Sequence, residues 1–181
     1  MPYGSAMSIV VRPATGGDVA AIDALLRRAF PAEDEARLVQ RLCIDGDMVL
    51  TLVADDEETG ALAGMIAFSR MDVEIAGKAI AAVALAPLAV DKAWRQQGVG
   101  EALVQAGIAQ LGAAGAMLCF VLGEPGYYER FGFAAEWAQG FASPYAGEYL
   151  MALPLQGGAM PCGVRGAATH APAFAQLGRV E

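Results

Sequence analysis

Ile80-Ala-Ala-Val-Ala-Leu-Ala-Pro-Leu-Ala-Val90, then Asp91-Lys-Ala-Trp94, then Arg95-Gln96-Gln97-Gly98-Val99-Gly100, is the stretch that decides the fold. An unbroken apolar run of this length reads as a strand buried on both faces. Pro87 lies inside it and cannot donate to a ladder, so the strand must bulge there or part from a neighbour. Glycines at 98 and 100 let the backbone come close to a ligand. The helix that follows carries Leu103, Val104, Ala106, Ile108 and Leu111, and Gly112 and Gly115 stop it. Its first-turn amides have no acceptor within the helix, so they suit an anionic phosphate through hydrogen bonds and the helix dipole. Taken alone, a GxG before a helix is as often a simple tight turn.

Downstream, Met117 to Leu122 reads as a second apolar strand, which makes a parallel, right-handed strand–helix–strand crossover. Gly123-Glu-Pro-Gly126 opens a short helix containing Tyr127 to Phe131, and Tyr149 to Leu155 is a last strand. Upstream, Ile9 to Pro13 is a short strand. Thr15-Gly-Gly-Asp18 resembles a capping box, followed by Val19, Ile22, Leu25, Leu26, Ala29 and Phe30 at helical spacing up to Pro31. A second helix starts near Glu33 with Leu38, Val39 and Leu42 on one face. Met48–Ala54 and Ala61–Arg70 flank the polar turn Asp55–Gly60. Val73–Ile75, a Gly77-Lys78 turn and Ala79–Val90 form another hairpin. The expected fold is α+β: a mixed, mostly antiparallel sheet with one parallel crossover and helices on both faces.

A chain of 181 residues has room for one domain. We expect residues 1–8 to be a tag remnant or disordered terminus, 9–155 the domain, and 156–181 a poorly patterned extension packing on it. The net charge of −8 and the lack of any basic run argue against a nucleic-acid partner. No run of 18 apolar residues is present, so no membrane span is expected, and Met1 to Ser8 lack the pattern of a signal peptide. Cys43, Cys119 and Cys162 form no CxxC pair or Cys/His cluster, so neither a metal site nor a disulfide framework is expected. Cys43 and Cys119 lie in apolar patterns and read as buried thiols. The chain reads as cytoplasmic.

Two phosphate-binding alternatives fit badly. There is no GxxxxGK[ST] motif, and Gly98-Val-Gly100-Glu-Ala-Leu103 places Leu where a dinucleotide fingerprint needs Gly or Ala. Arg95-x-x-Gly98-x-Gly100 instead resembles the [RQ]xxGx[GA] coenzyme A signature of the GNAT superfamily of N-acetyltransferases. Tyr127-Tyr128-Glu129-Arg130-Phe131-Gly132-Phe133 is similar to that superfamily's second hallmark, a Tyr followed by Gly-Phe. Leu85–Val90 and Val121–Tyr128 narrow the resemblance to a bacterial branch of it.

The resemblance implies an acetyl-CoA-dependent N-acetyltransferase whose acceptor is an amine on a small molecule or peptide, with direct attack and no acyl-enzyme. It implies that backbone groups of Leu88, Ala89 and Val90 pair with the pantetheine arm, and that Arg95 and the amides of Gln96, Gln97, Gly98, Val99 and Gly100 hold the pyrophosphate. It makes Tyr128 the general acid at the departing sulfur, with Tyr127 or no acid at all as alternatives, and a homodimer an expectation. A non-catalytic acyl-CoA-binding module of the same fold is the alternative function. For the general base, Glu33, Glu35, Asp72 and Glu74 are all candidates, and none is singled out. His170, the only histidine, sits in the poorly patterned tail. Trp94 and Trp137 read as ligand wall or simple packing, and Glu124 and Gly126 as pocket-adjacent.

Overall fold

Two long strands, β3 (Leu62–Ile75) and β4 (Lys78–Val90), organise the sheet of a computed structural model that describes residues 8–176. They pair antiparallel from Ile75↔Lys78 to Gly64↔Val90 around a turn at Ala76 and Gly77, both in the left-handed region. Along β3 the side chains alternate between the faces. Ile66 and Phe68 pack with one cluster, Met65 and Ala67 with another. Arg70, Asp72 and Glu74 are exposed while Met71, Val73 and Ile75 are buried, so this is one continuous half-buried strand. The sequence alone suggests a break at residues 71–72, because each charged residue there looks like an interruption when only one face is read, whereas the strand is continuous.

The sheet runs β1–β2–β3–β4–β5–β6, with β1 (Ile9–Pro13), β2 (Met48–Asp56), β5 (Leu118–Leu122) and β6 (Leu150–Pro154). Only β4 and β5 are parallel, as the crossover predicts. Helix α3 (Val99–Ala113) makes that crossover and covers one face through Val99, Leu103, Val104 and Leu111. Helices α1 (Val19–Ala29) and α2 (Asp34–Asp45) cover the other. Ahead of α1 the expected capping box between Thr15 and Asp18 is present, with Thr15 N–H donating to Asp18 Oδ2 at 2.7 Å. Short helices α4 (Pro125–Tyr128) and α5 (Ala135–Ala138) follow β5. No described helix is long and apolar enough to cross a membrane.

Two expectations are corrected: Tyr149–Leu155 is not the last strand, and Cys43 is not buried. Part of the extension 156–181 forms β7 (Arg165–His170), which pairs antiparallel with β3 from Met71↔His170 onward, just past the point where β2 begins at Met48↔Ser69. Of β7 only Ala168 is buried, so its order comes from backbone pairing with a distant strand and leaves no apolar period to read. Cys43 is exposed, one position beyond the buried Leu42 at the margin of the stripe of α2, whereas Cys119 is buried as expected. Residues 1–7 of the expected terminus lie outside the described residues. Ser8 is held by Glu57, whose backbone N–H donates to Ser8 O at 3.0 Å.

Candidate active site

The expected discontinuity at Pro87 is present. Between Ile66↔Leu88 and Phe68↔Leu85 the register shifts, so Ala86 and Pro87 together oppose the single Ala67. On the other side, pairing of β4 with β5 ends at Leu85↔Val121. The last part of β4 therefore runs free of β5, and a gap opens between them. Asp91 N–H donates to Ala63 O at 2.8 Å, so the two-residue alternation turns the backbone of Ala89 toward β3 as well. Leu88 and Val90 present theirs to the gap. Of the three residues expected to pair with an extended ligand, two thus offer backbone groups there, and Ala89 offers only its side chain to the α1/α2 face.

The turn after β4 is held in an unusual shape. Gln96 has φ 62 and Gly98 φ 81, both left-handed, which costs a non-glycine residue about 1–3 kcal/mol. Side chains brace it: Arg95 Nε donates to Val90 O at 3.3 Å, and Gln97 Nε2 donates to Ala93 O at 3.2 Å. Ala102 N–H donates to Gly98 O at 3.0 Å, leaving the amides before it in α3 without an intrahelical acceptor. Together with Val90, Trp94 and Arg95 they border a cavity of about 450 Å³, whose far wall is Tyr127 and Arg130. The Arg130 guanidinium lies 4.4 Å from the Tyr127 ring centroid. Two cations, one carboxylate at Glu101 and a set of free helix-start amides thus line one concave surface, whose cations and amides suit an anion. Arg130 was missed from sequence. Its i, i+3 spacing from Tyr127 was the available signal.

Tyr127 and Tyr128 occupy different places. A Cβ on Gly100 would come within 2.7 Å of the Tyr127 hydroxyl, so this phenol lies directly on the start of α3. Tyr128 turns the other way. Its ring covers Gly123, at the end of β5, where a Cβ would meet ring carbon Cε2 at 2.6 Å. It also packs edge-on to Phe133, with ring centroids 5.8 Å apart. Burial pushes its pKa up to about 12, with smaller contributions from Tyr127 and Cys119. The hydroxyl is therefore protonated across the physiological range, on the β5 side of the gap.

The remaining candidates separate cleanly. Glu33 is engaged by Arg27 and Arg37, and Asp72 by Arg70. Glu74 is exposed on the same face of β3 as Asp72. Glu35 differs: its Oε2 is buried and has no hydrogen-bond partner. His170 contacts the rings of Tyr145 and Phe174, and burial pushes its pKa down to about 4, so it is neutral. Trp94 lines the cavity, whereas Trp137 packs against the core.

The family model "Acetyltransferase (GNAT) domain" matches residues 10–135. An uncharacterized N-acetyltransferase of Escherichia coli K12, YhbS, is 46% identical over 116 residues, covering 64% of this chain and 68% of that protein. The crystal structure of Escherichia coli YhbS in complex with CoA superposes with a TM-score of 0.86, at 33% identity over 98% of both chains. A GNAT family acetyltransferase from Brucella melitensis in complex with acetyl-CoA superposes with a TM-score of 0.71, at 31% identity over 93% of this chain and 99% of that one.

Proposed function

The chain belongs to the GNAT acetyltransferase family, and we propose that it moves the acetyl group of acetyl-CoA to a primary amine by direct attack in a ternary complex. The observation that carries this reading is the conjunction of two features along one strand. β4 frees its edge at Leu88 and Val90, and the Gly98–Gly100 turn a few residues later offers bare amides inside a cavity with Arg95 and Arg130. That two relatives of more than 30% identity were solved with CoA or acetyl-CoA supports the choice of ligand.

In this reading the backbone of Leu88 and Val90 pairs with the pantetheine arm as an added strand would. Gln96, Gln97, Gly98, Val99 and Gly100 hold the pyrophosphate by their amides, with Arg95 and Arg130 supplying charge. Ala89 shapes the acceptor side instead. The thioester supplies an activated acyl carbon, and the protein aligns it and donates to the developing charge. Tyr128 donates a hydrogen bond to the departing sulfur. A phenol near 12 is a weaker acid than a thiol near 8.5, so complete transfer is uphill until the amine gives up its own proton. The cysteines are not needed as nucleophiles: Cys119 is buried, and burial pushes its thiol pKa up. Free thiols fit a reducing cytoplasm.

The test is thiol release from acetyl-CoA with a panel of primary amines: amino acids, spermidine, an aminoglycoside, a lysine peptide and a free N-terminal peptide. Release stimulated by at least one class is expected. A rate equal to the amine-free background throughout would favour a non-catalytic acyl-CoA-binding protein.

A further inference from the structure

We propose that Glu35 receives the acceptor: its carboxylate binds a protonated primary amine on the α1/α2 face of the sheet and takes the proton that the amine must lose before it attacks. This deepens the acetyl-transfer reading and rests on it. Helix α2 buries Ala36, Leu38, Val39 and Leu42. Glu35, four residues before Val39 and seven before Leu42, lies in the middle of that stripe. A carboxylate oxygen sealed in such a place without a donor is costly, and a cation brought to it recovers that cost.

Its neighbours locate it against the sheet. Ala36 and Val39 share a cluster with Ala89, while Leu38 and Leu42 belong to the cluster on which Ala86 packs. Glu35 lies between the two on the stripe of α2, on the face of the sheet to which Ala86 and Ala89 contribute. The Arg28–Asp91 ion pair at 2.7 Å fixes the end of α1, and so the approach to α2, beside the end of β4.

The opposite face carries the Gly98–Gly100 turn, so coenzyme and amine approach the gap from different sides. Among the described residues, the other buried side-chain polar atoms without a partner are Ser69 Oγ and His170 Nδ1. Ser69 lies between Ala67 and Met71 on the alternation of β3, and His170 is paired with Met71. All three unpartnered atoms are thus on the α1/α2 face. Asp72 and Glu74 point to the other one.

The step balances. Glu35 takes one proton from the ammonium, and the nitrogen lone pair forms the N–C bond to the acetyl carbon as the C–S bond breaks. Tyr128 gives its proton to sulfur, and the second proton leaving nitrogen restores the phenol. The products are the amide, the free thiol and a protonated Glu35 that returns its proton to water.

The test needs no knowledge of the natural acceptor. Two non-reactive thioethers, S-(2-aminoethyl)-CoA and S-propyl-CoA, have nearly the same size and differ by one ammonium placed just beyond the sulfur. The wild-type protein is expected to bind the ammonium probe about tenfold or more tightly, the usual size of a charge-assisted contact. Glu35→Gln is expected to bind S-propyl-CoA as well as wild type and to lose the preference. Equal binding of the two probes by wild type, or a preference that survives in Glu35→Gln, overturns the assignment while leaving the coenzyme site intact. Failure of both probes and of acetyl-CoA to bind overturns the acetyl-transfer reading and this one with it.

Discussion

The Tyr127 hydroxyl and the α-carbon of Gly100 share one space: a Cβ at residue 100 would sit 2.7 Å from that oxygen. Gly100 is therefore a glycine by contact. Alanine is a better helix former by about 1 kcal/mol, so Gly100→Ala should keep or slightly raise the melting temperature. It should weaken acetyl-CoA binding by about tenfold as Tyr127 is pushed into the cavity. Calorimetric titration beside a thermal melt checks both. Unchanged affinity would remove the close approach from the account.

Arg130 stacks on Tyr127 at the rim of the same cavity. An exposed cation–π contact contributes only about 0.5–1 kcal/mol, so Arg130→Gln should hardly alter stability. It should weaken acetyl-CoA binding several-fold at low salt and flatten the salt dependence of the dissociation constant, since exposed charge interactions are screened. Titrations at two ionic strengths measure this, and parallel salt slopes for variant and wild type would contradict it.

Tyr128 makes two separable contributions. Tyr128→Phe should reduce turnover by about 10²-fold or more while acetyl-CoA affinity stays the same. It should also change the alkaline limb of stability. With its pKa raised from 10 to about 12, the folded protein keeps a proton that the unfolded chain releases, so stability falls as pH rises from 10 to 12. Removing the hydroxyl should flatten that limb in denaturant titrations. An unaltered slope would mean that the phenol is not held in a dry site.

His170 should govern the acid limb with the opposite sign. Burial holds it neutral down to about 4, while the unfolded chain charges it near 6.5. Its contribution is present above 6.5 and is lost as pH falls toward 4, at most about 3 kcal/mol. His170→Phe, which keeps a ring against Tyr145 and Phe174, should lose this dependence without losing the fold. A variant that denatures in acid exactly as wild type does would refute it.

Sequence carried the central part of the sheet and the turn ahead of α3 well, and for a physical reason. The apolar run Ile80–Val90, its proline and the Gly98–Gly100 turn are local signals for a bulged central strand and a tight turn opening a helix, and each produced the element expected. What failed was non-local. β7 has one buried side chain and is defined by the strand it pairs with, so its residues carry no pattern of their own. Glu35 looked like three other acidic residues in the sequence, of which the fold pairs Glu33 and Asp72 with arginines and leaves Glu74 exposed. The distinction of Glu35 is the lack of a donor, a property of the fold rather than of the residue. Arg130 was hidden because its meaning depends on Tyr127 reaching Gly100 across the turn between β5 and α4.

The most direct test of the whole account is calorimetric titration of the protein with acetyl-CoA, run beside desulfo-CoA and NADH. The account predicts acetyl-CoA binding in the micromolar range, weakened by Arg130→Gln and by Gly100→Ala, with no competition from NADH. Absence of acetyl-CoA binding, or NADH binding that competes at the Gly98 turn, would contradict it.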